Sequence, residues 1–385
     1  MRDLSRAGRA VGLLLGAAAL VLVAGCAGPA QGASTTGGPS GTVGATVSNP
    51  AATSGSATGA AGPAGQVVQE ASAADVAGSG SGSGDLSAPF VCPEPTVTVL
   101  DAADLKKALA SAKPGDVIQL EHASYLGRFT ITRSGTAARP IYLCGPNDAV
   151  LDSRNQKSGY TLHLDGASNW RLQGFAVRSG QKGVMVDAGH GVALQGLRVT
   201  ETGDEAVHLR KNSTDNVVRG LTIRKTGLLH PKFGEGIYIG SAQSNWCDVT
   251  GCKPDRSDRN LVLENSITLT SAEAVDIKEG TSSGTLSGNT FDGTGMVAAG
   301  GDSWVDVKGN GWTITRNKGQ KSVKDGFQVH VILAGWGDKN VFTRNTAKLS
   351  SGGTGILLQK PLANVVSCDN VVTGTNTPFS VACKN

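Results

Sequence analysis

A short alternating pattern recurs along this chain and limits what it can fold into. The segment Val275-Asp276-Ile277-Lys278 is followed thirty residues later by Val305-Asp306-Val307-Lys308. In an extended strand, alternate side chains point to opposite sides, so the β-branched residues would face one way and the charges the other. Six further segments occupy the same slot: Leu162-His163-Leu164-Asp165, Val184-Met185-Val186-Asp187, Val207-His208-Leu209-Arg210, Ile237-Tyr238-Ile239-Gly240, Phe327-Gln328-Val329-His330 and Ile356-Leu357-Leu358-Gln359.

The spacing between these eight segments is 22, 23, 30, 38, 30, 22 and 29 residues. One short strand per period of roughly 20 to 50 residues is typical of a solenoid, in which each repeat stacks on its neighbours. The sequence therefore predicts an all-β fold, a right-handed parallel β-helix.

The beginning of the chain has a different composition. A basic start, an apolar run from Val11 to Val23 and small residues before Cys26 are typical of a secretory signal, too short for a comfortable membrane span. Cys26 resembles the lipidated cysteine of the bacterial lipobox, which predicts a lipoprotein signal peptide over residues 1–25; an ordinary signal peptide with a coincidental Cys is the alternative. The expected location is the extracytoplasmic face of the cell membrane, with the lipid as the only membrane contact.

Residues 26–88 are rich in Ala, Gly, Ser, Thr and Pro and bury too little apolar surface to fold, so a disordered tether is predicted. Residues 89–385 then form one solenoid domain. Charges of both signs are interspersed along the chain, whose net charge is +4, which argues against nucleic-acid binding. Nothing indicates a partner protein, and a monomer is expected.

Six cysteines follow Cys26, and an even number in an exported protein favours three disulfides, although six cysteines allow fifteen connectivities. Nearness in sequence favours Cys247 with Cys252 and Cys368 with Cys383, which leaves Cys92 with Cys144. Zinc binding is the rival interpretation, but no His accompanies the cysteines at metal-site spacing.

Two further signals support a solenoid. Asp101 to Ala112 reads as a helix with Asp101 as its N-cap, and it can cover the open N-terminal end of the β-helix. A turn position also recurs in step with the strands, and it is occupied by residues that readily take a left-handed backbone conformation. These residues are Gly174, Gly196 and Gly220, then Asn265, Asn289, Asn317, Asn345 and Asn370. Stacked Asn side chains can also hydrogen-bond along the solenoid axis.

From about Val97 to the C-terminus the chain resembles the pectate-lyase-like superfamily of right-handed parallel β-helices, nearest to its chondroitinase B and alginate lyase branch. The resemblance is carried by repeats such as EAVDIKEGTSSGTLSGNTF and GWTITRN and by the entry segments SAKPGDVIQLEHASYLGRFTI and SGTAARPIYLCG. It implies an enzyme that cleaves an acidic, uronate-containing polysaccharide by β-elimination.

If the strands stack in register, equivalent residues lie about 4.8 Å apart on the outer face. One outward column then contains His208, Tyr238, Asp276, Asp306 and Gln328, and its neighbour contains Arg210, Lys278, Lys308 and His330. Asp276, Lys278, Asp306 and Lys308 would form a square of alternating charge on one exposed wall. A solvated salt-bridge ladder is the structural alternative to a functional site.

For elimination, a site must neutralise the uronate carboxylate, remove the neighbouring proton and protonate the leaving oxygen. Lys278 or Lys308 is the expected base, with a pKa lowered by cationic neighbours, and Arg210, Tyr238 or His330 lies near the leaving group. Ca²⁺ is the one cofactor considered, with Asp276, Asp306 and Glu273 as its oxygen ligands. The expected substrate-binding residues are His208, Gln328, Trp304 and Trp336.

Two other functions stay open. A β-helix glycoside hydrolase would use Asp276 and Asp306 as paired carboxylates, at roughly the 5 Å separation of retaining enzymes. The Lys beside each Asp disfavours this, since it depresses the pKa of a group that must act as an acid. A surface lipoprotein that binds glycans without cleaving them is the third possibility.

Overall fold

The computed structural model describes residues 86–350 and 352–385 of the chain. All of them belong to the second of the two units into which the chain divides, Val76–Asn385. The expected signal peptide, Cys26 and nearly all of the expected tether lie outside the described residues. In the part that is described, no helix is long and apolar enough to cross a membrane.

Three parallel sheets, here called A, B and C, confirm the predicted right-handed β-helix. The eleven strands of sheet A are Val97–Val99, Val117–Leu120, Ile141–Cys144, Trp170–Gln173, Ala193–Gln195, Val217–Arg219, Leu261–Leu263, Thr285–Ser287, Thr313–Thr315, Val341–Thr343 and Val365–Val366. The ten strands of sheet B are Ser124–Leu126, Val150–Asp152, Ala176–Arg178, Arg198–Thr200, Thr222–Arg224, Ser266–Thr268, Thr290–Asp292, Lys318–Gln320, Thr346–Lys348 and Val371–Thr373. The ten strands of sheet C are Phe129–Ile131, Tyr160–Asp165, Lys182–Asp187, Val207–Arg210, Ile237–Ile239, Val275–Ile277, Val305–Val307, Phe327–Val329, Thr354–Leu358 and Thr377–Phe379.

The core runs along the axis between the three sheets. Val275 and Ile277 pair with Val305 and Val307 in the next turn of sheet C, and all four side chains are fully buried. Stacking apolar residues at each turn produces a continuous core that no single repeat could form. Sheet C is built from the eight segments in which the pattern was recognised, together with one strand at each end.

The helix expected at the N-terminal end is present. It spans Ala102–Ser111, and the Asp101 carboxylate accepts hydrogen bonds from the backbone N–H groups of Ala103 and Asp104, at 2.8 and 2.9 Å. Leu105 and Leu109 are buried against the core. The helix therefore covers apolar surface that the first turn of the solenoid would otherwise expose.

A ladder of asparagines supports the turns between sheets A and B. Each side-chain N–H of Asn265, Asn289, Asn317 and Asn345 donates to the side-chain oxygen of the next asparagine, at 2.8 to 3.0 Å. The predicted axial hydrogen bonds are confirmed. The predicted left-handed conformation of these asparagines is wrong, because the positive φ belongs to the residue before each of them: Glu264, Gly288, Arg316 and Arg344.

A segment preceding the first strand, residues 86–96, lies along the outside of sheet A and is called the strap. Leu86 and Phe90 pack against an apolar patch formed by Ala193, Val217 and Leu263. The backbone of Phe90 exchanges two hydrogen bonds with the side-chain amide of Gln195, at 3.0 and 2.7 Å. The strap is fixed further by a disulfide between Cys92 and Cys144.

The three disulfides join the cysteines that nearness in sequence favoured: Cys92 with Cys144, Cys247 with Cys252, and Cys368 with Cys383. Zinc ligation by these six residues is thereby excluded. The second disulfide lies in an insertion between two turns, residues 241–258, called the disulfide loop. It contains a 3₁₀ helix, Gln243–Asn245, and a short α-helix, Trp246–Thr250.

Candidate active site on sheet C

The outward-facing residues of sheet C form the predicted column. Tyr238 pairs in register with His208 on one side and Asp276 on the other, and Asp276 pairs with Asp306. Residues 22 to 38 positions apart in sequence thus become direct neighbours, because each turn of the solenoid returns the chain to sheet C in the same register.

The four charged residues expected to form a square do meet. The Lys308 Nζ lies 2.7 Å from one carboxylate oxygen of Asp276 and 2.7 Å from one of Asp306, and the Lys278 Nζ lies 2.5 Å from the other oxygen of Asp276. His330 extends the network, with its Nδ1 at 2.8 Å from the Asp306 carboxylate.

This wall is less exposed than predicted. Asp276, Asp306 and Lys308 are 2%, 5% and 8% exposed, so they are buried residues rather than a solvated ladder. The charges shield one another from water, since each lies against a group of opposite sign. Buried ion pairs of this kind are costly to break from one side, because the remaining partner keeps an uncompensated charge.

The expected lowering of the lysine pKa values is wrong. Burial by itself would lower the pKa of Lys308, but the carboxylates of Asp276 and Asp306 outweigh it and raise that pKa well above its ordinary value. The pKa of Lys278 is raised in the same way, chiefly by Asp276. The nearest groups to each ammonium are carboxylates, not the neighbouring lysine, so both residues are cations at neutral pH.

Tyr238 borders a cavity of about 250 Å³ at the N-terminal side of the square. Its ring lies 4.4 Å from the His208 ring, between centroids, and 4.8 Å from the Lys278 ammonium. Burial and the charge of Asp276 raise the pKa of Tyr238 well above its ordinary value, so its phenol stays protonated. The cavity is lined by Lys182, Asp204, Glu205, His208, Arg210, Phe233, Glu235, Tyr238 and Asn245.

The two ring nitrogens of His208 face a backbone carbonyl and a carboxylate. Its Nε2 lies 2.8 Å from the carbonyl oxygen of Gly240, so that nitrogen must donate a proton. Its Nδ1 lies 3.3 Å from the Glu205 carboxylate. Burial would raise the pKa of Glu205, but His208 and Lys182 outweigh it and lower that pKa to about 2. Glu205 is therefore an anion beside the imidazole, although His208 Nδ1 has no hydrogen-bond partner among the described residues.

Three carboxylates gather beside Tyr238. Glu235, Glu273 and Asp276 each place an oxygen within 4.8 Å of the others, and Glu235 Oε2 is buried without a hydrogen-bond partner. Burial and the charge of Asp276 raise the pKa of Glu273 to about 8, and burial and the charge of Glu205 raise that of Glu235 well above its ordinary value. Such a group of hard oxygen donors is able to hold a metal ion, and the Asp276 carboxylate in it is shared with Lys278 and Lys308.

The structure puts Glu235 in this group in place of Asp306, which was expected to be the third ligand. Asp306 lies one turn further along, and its carboxylate is committed to Lys308 and His330. Burial would raise the pKa of Asp306, but Lys308 and His330 lower it to about 2. A carboxyl group with that pKa is not a general acid at neutral pH, so in a hydrolase pair Asp306 would have to be the ionised nucleophile.

The predicted contacts of Trp304 and Gln328 with substrate are wrong. Trp304 is fully buried in the core, where its indole N–H donates to the carbonyl of Gln320 at 3.0 Å. Gln328 is 1% exposed, and its amide N–H donates to the Asp325 carboxylate at 2.8 Å. Trp304 lies in a turn that points into the solenoid, and Gln328, although in the outward column, is covered by its neighbours.

Two other expected site residues keep part of their surface exposed. Arg210 lines the cavity and binds the Asp187 carboxylate through its Nε at 2.7 Å. Trp336 is half-buried in the loop after the strand Phe327–Val329, with its ring 5.7 Å from the Arg256 guanidinium of the disulfide loop. Trp336 does not line the cavity beside Tyr238.

The cavity also contains residues that were not among the site residues predicted from the sequence. Lys182 and Glu235 both stand two positions before the first inward residue of a sheet C segment, Val184 and Ile237, so comparing that position in every repeat finds them. Phe233 and Asn245 belong to loops between turns. Their position depends on loop conformation, which a strand repeat does not predict.

Fold and site together define a class of protein: a parallel β-helix in which the outward face of sheet C carries a charged cavity flanked by buried ion pairs. An alginate lyase from Paenibacillus sp. str. FPU-7 is 34% identical to this chain, with a TM-score of 0.71 over 75% of this chain and 100% of that one. The pectate lyase Pel9A superposes with a TM-score of 0.53 at 14% identity, over 75% of this chain and 82% of that one, which shows the fold alone. No protein-family model and no curated protein matches.

The chain therefore belongs to the same family as the Paenibacillus alginate lyase, since it spans all of that enzyme at 34% identity. Membership of this family confirms the resemblance to β-helix polysaccharide lyases. Of the three functions considered from the sequence, it favours a polysaccharide lyase.

Proposed function

We propose that this protein cleaves an acidic polysaccharide by β-elimination, with alginate as the first substrate to test. The observation that carries the proposal is the contact between Tyr238, which lines the cavity, and Lys278, whose ammonium lies 4.8 Å from the centre of the Tyr238 ring. The full-length match to an alginate lyase supports it independently.

Elimination from a 4-linked uronate moves a proton from C5 to a base, forms a double bond between C4 and C5, and breaks the bond from C4 to the leaving oxygen, which takes up a proton. In our proposal Tyr238 protonates the leaving oxygen. Its raised pKa keeps the phenol protonated at neutral pH, and it borders the open cavity. Arg210 lies in the same cavity and can bind a uronate carboxylate.

Lys278 is a better base than Lys308. Its side chain contacts one carboxylate rather than two and is 14% exposed against 10%, and it lies beside Tyr238. Because the pKa of Lys278 is raised, only a small fraction is deprotonated at neutral pH. We therefore expect kcat to rise as the pH increases above neutrality.

The residues beside Tyr238 also fit Ca²⁺, the cofactor considered from the sequence. Glu235, Glu273 and Asp276 are hard oxygen donors, and Glu235 Oε2 is buried without a hydrogen-bond partner among the described residues. The raised pKa values of both glutamates mean that a cation binding there would release their protons. Bound Ca²⁺ would supply positive charge for the substrate carboxylate and would lower the pKa of the nearby Lys278.

The test is to incubate the purified protein with alginate, pectate and glycosaminoglycans and to follow the ultraviolet absorbance of the unsaturated product. Tyr238→Phe and Lys278→Ala should each lower kcat by about 10²-fold or more, the usual contribution of a general acid or base. Lys321→Ala is the matched control, since this lysine is 60% exposed and lies on sheet B's side of the molecule.

Each other outcome points to a different function. New reducing ends without the absorbance would mean hydrolysis, and saturable binding without product would mean a glycan-binding protein. Unchanged kcat in Lys278→Ala would refute the assignment of the base.

We also propose that the protein is exported and anchored through a lipid on Cys26. Three disulfides in the described domain support an oxidising compartment. Cys26→Ala should move the protein from the membrane fraction to the soluble fraction and abolish incorporation of labelled fatty acid. Equal fractionation of both forms would contradict the anchor.

A further inference from the structure

We propose that Lys232 and Phe233 form a separate binding subsite for one uronate residue at the mouth of the cavity. The inference rests on the proposed function, because it takes the substrate to be an acidic polysaccharide. Both residues lie in the loop of residues 225–234, called the rim loop, which connects a strand of sheet B to the strand Ile237–Ile239 of sheet C.

Phe233 is a large apolar residue exposed at a polar site. It is 46% exposed and lines the cavity together with Tyr238 and Arg210. An aromatic ring there can pack against the C–H face of a pyranose, whereas packing inside the domain would have buried it. The cavity volume of about 250 Å³ lies below the roughly 300 to 1,000 Å³ typical of drug-sized ligands, so it suits about one sugar unit beside Tyr238 and Arg210, and the exposed part of the Phe233 ring is left for the neighbouring unit.

The rim loop is held in place by specific contacts. Pro231–Phe233 is a 3₁₀ turn, and the His230 Nδ1 lies 2.8 Å from the Asp204 carboxylate. The Ser271 hydroxyl donates to the carbonyl of Pro231 at 2.7 Å.

The two ends of the loop touch through glycines, since a Cβ at Gly227 would lie 2.8 Å from the Cα of Gly234. A braced loop presents Phe233 without the entropy cost of ordering it on binding.

Lys232 differs from the other cations around the cavity. Lys182, Arg210 and Lys278 are each paired with a buried carboxylate: Glu205, Asp187 and Asp276. Lys232 is exposed and has no ion pair within the described part of the chain, and its ammonium lies 4.8 Å from the centre of the Phe233 ring. A substrate carboxylate can therefore bind Lys232 without displacing an internal partner, and the sugar it belongs to then lies beside Phe233.

The full-length protein and four variants test the subsite: Phe233→Ala, Phe233→Trp, Lys232→Gln and, as control, Leu228→Ala. Leu228 is an exposed apolar residue of the same loop, at 52% exposure, and does not line this cavity. Phe233→Ala should raise KM for alginate about tenfold with kcat within twofold, because binding remote from the reacting bond is lost, and Phe233→Trp should restore KM. Leu228→Ala should match the wild type.

Lys232→Gln should raise KM several-fold at low ionic strength and much less at 0.5 M salt, where an exposed ion pair is screened. A KM within twofold of wild type in Phe233→Ala, or a loss confined to kcat, would overturn the subsite while elimination itself still stood. If the wild type cleaves no polyuronate, the proposed function fails. Calorimetric binding of alginate to the same variants then tests the subsite alone, and equal Kd values would refute it.

Discussion

The asparagine ladder makes a quantitative prediction about stability. Asn317 is fully buried, and its side-chain oxygen accepts two hydrogen bonds from Asn289, from the backbone N–H at 3.0 Å and from the side-chain N–H at 2.8 Å. Its own side-chain N–H group donates to the Leu286 carbonyl at 2.9 Å and to Asn345 at 3.0 Å. Replacing Asn317 therefore removes four hydrogen bonds from the interior.

Asn317→Ala leaves the backbone N–H of Asn289 buried without a partner, at a cost of about 1 to 3 kcal/mol. The other three bonds are each worth about 0.5 to 1.5 kcal/mol. We expect the free energy of unfolding to fall by about 3 to 5 kcal/mol, since such terms are not fully additive. Asn147→Ala, at an exposed asparagine without a side-chain hydrogen bond among the described contacts, should change it by less than about 0.5 kcal/mol.

Urea denaturation with the disulfides intact measures both variants. Asn317→Leu separates the two possible causes, because leucine fills the volume and still cannot hydrogen-bond. A loss in Asn317→Leu as large as in Asn317→Ala supports the hydrogen-bond explanation. Recovery of stability in Asn317→Leu would show that the cost came from a cavity, and a loss below about 1 kcal/mol in both would refute the reasoning altogether.

Other features give further expectations. Lys308→Met leaves two buried carboxylates without their shared cation and should lower the free energy of unfolding by about 3 to 5 kcal/mol. The control Lys321→Met, at an exposed lysine, should lower it by at most about 1 kcal/mol. Equal losses of the two variants in urea denaturation would contradict this expectation. The pKa of Glu273 is raised to about 8 from 4.5, so the folded protein holds this proton more tightly than the unfolded chain does. With metal ions removed by a chelator, the stability that Glu273 contributes is therefore complete below pH 4.5 and is lost as the pH rises through 8. Glu273→Gln should therefore have a higher Tm than wild type at pH 8 but not at pH 5, and the same difference at both pH values would count against it. Replacing Cys92 and Cys144 together by Ser should lower the free energy of unfolding by about 2 to 5 kcal/mol and expose the strap to protease; an unchanged digestion pattern would mean that packing alone holds it.

Much of the fold could be predicted from the sequence because a solenoid repeats one local rule. Val275, Ile277, Val305 and Val307 alternate with charges, and such alternation determines which side of a strand is buried. Register then follows, since slipping by one residue would turn every charge into the core. The whole outward column from His208 to Gln328 was predictable for this reason.

The details of the site depended on contacts that a repeat does not encode. The lysine pKa values rise because Asp276 lies between two ammonium groups, an arrangement that depends on how the long lysine side chains fold back over the sheet. Trp304 precedes a strand by one residue, and its burial depends on the direction of a turn. Phe233 and Asn245 lie in connections of irregular length, where no period fixes the backbone.

The strap has a practical consequence for how the protein can be displayed. Because Leu86 and Phe90 lie on sheet A and Cys92 is bonded to Cys144 there, anything joined ahead of Leu86 is attached on sheet A, whereas the cavity opens on sheet C. Immobilising the protein on beads through its N-terminus should therefore leave the cavity on sheet C accessible to long polymers.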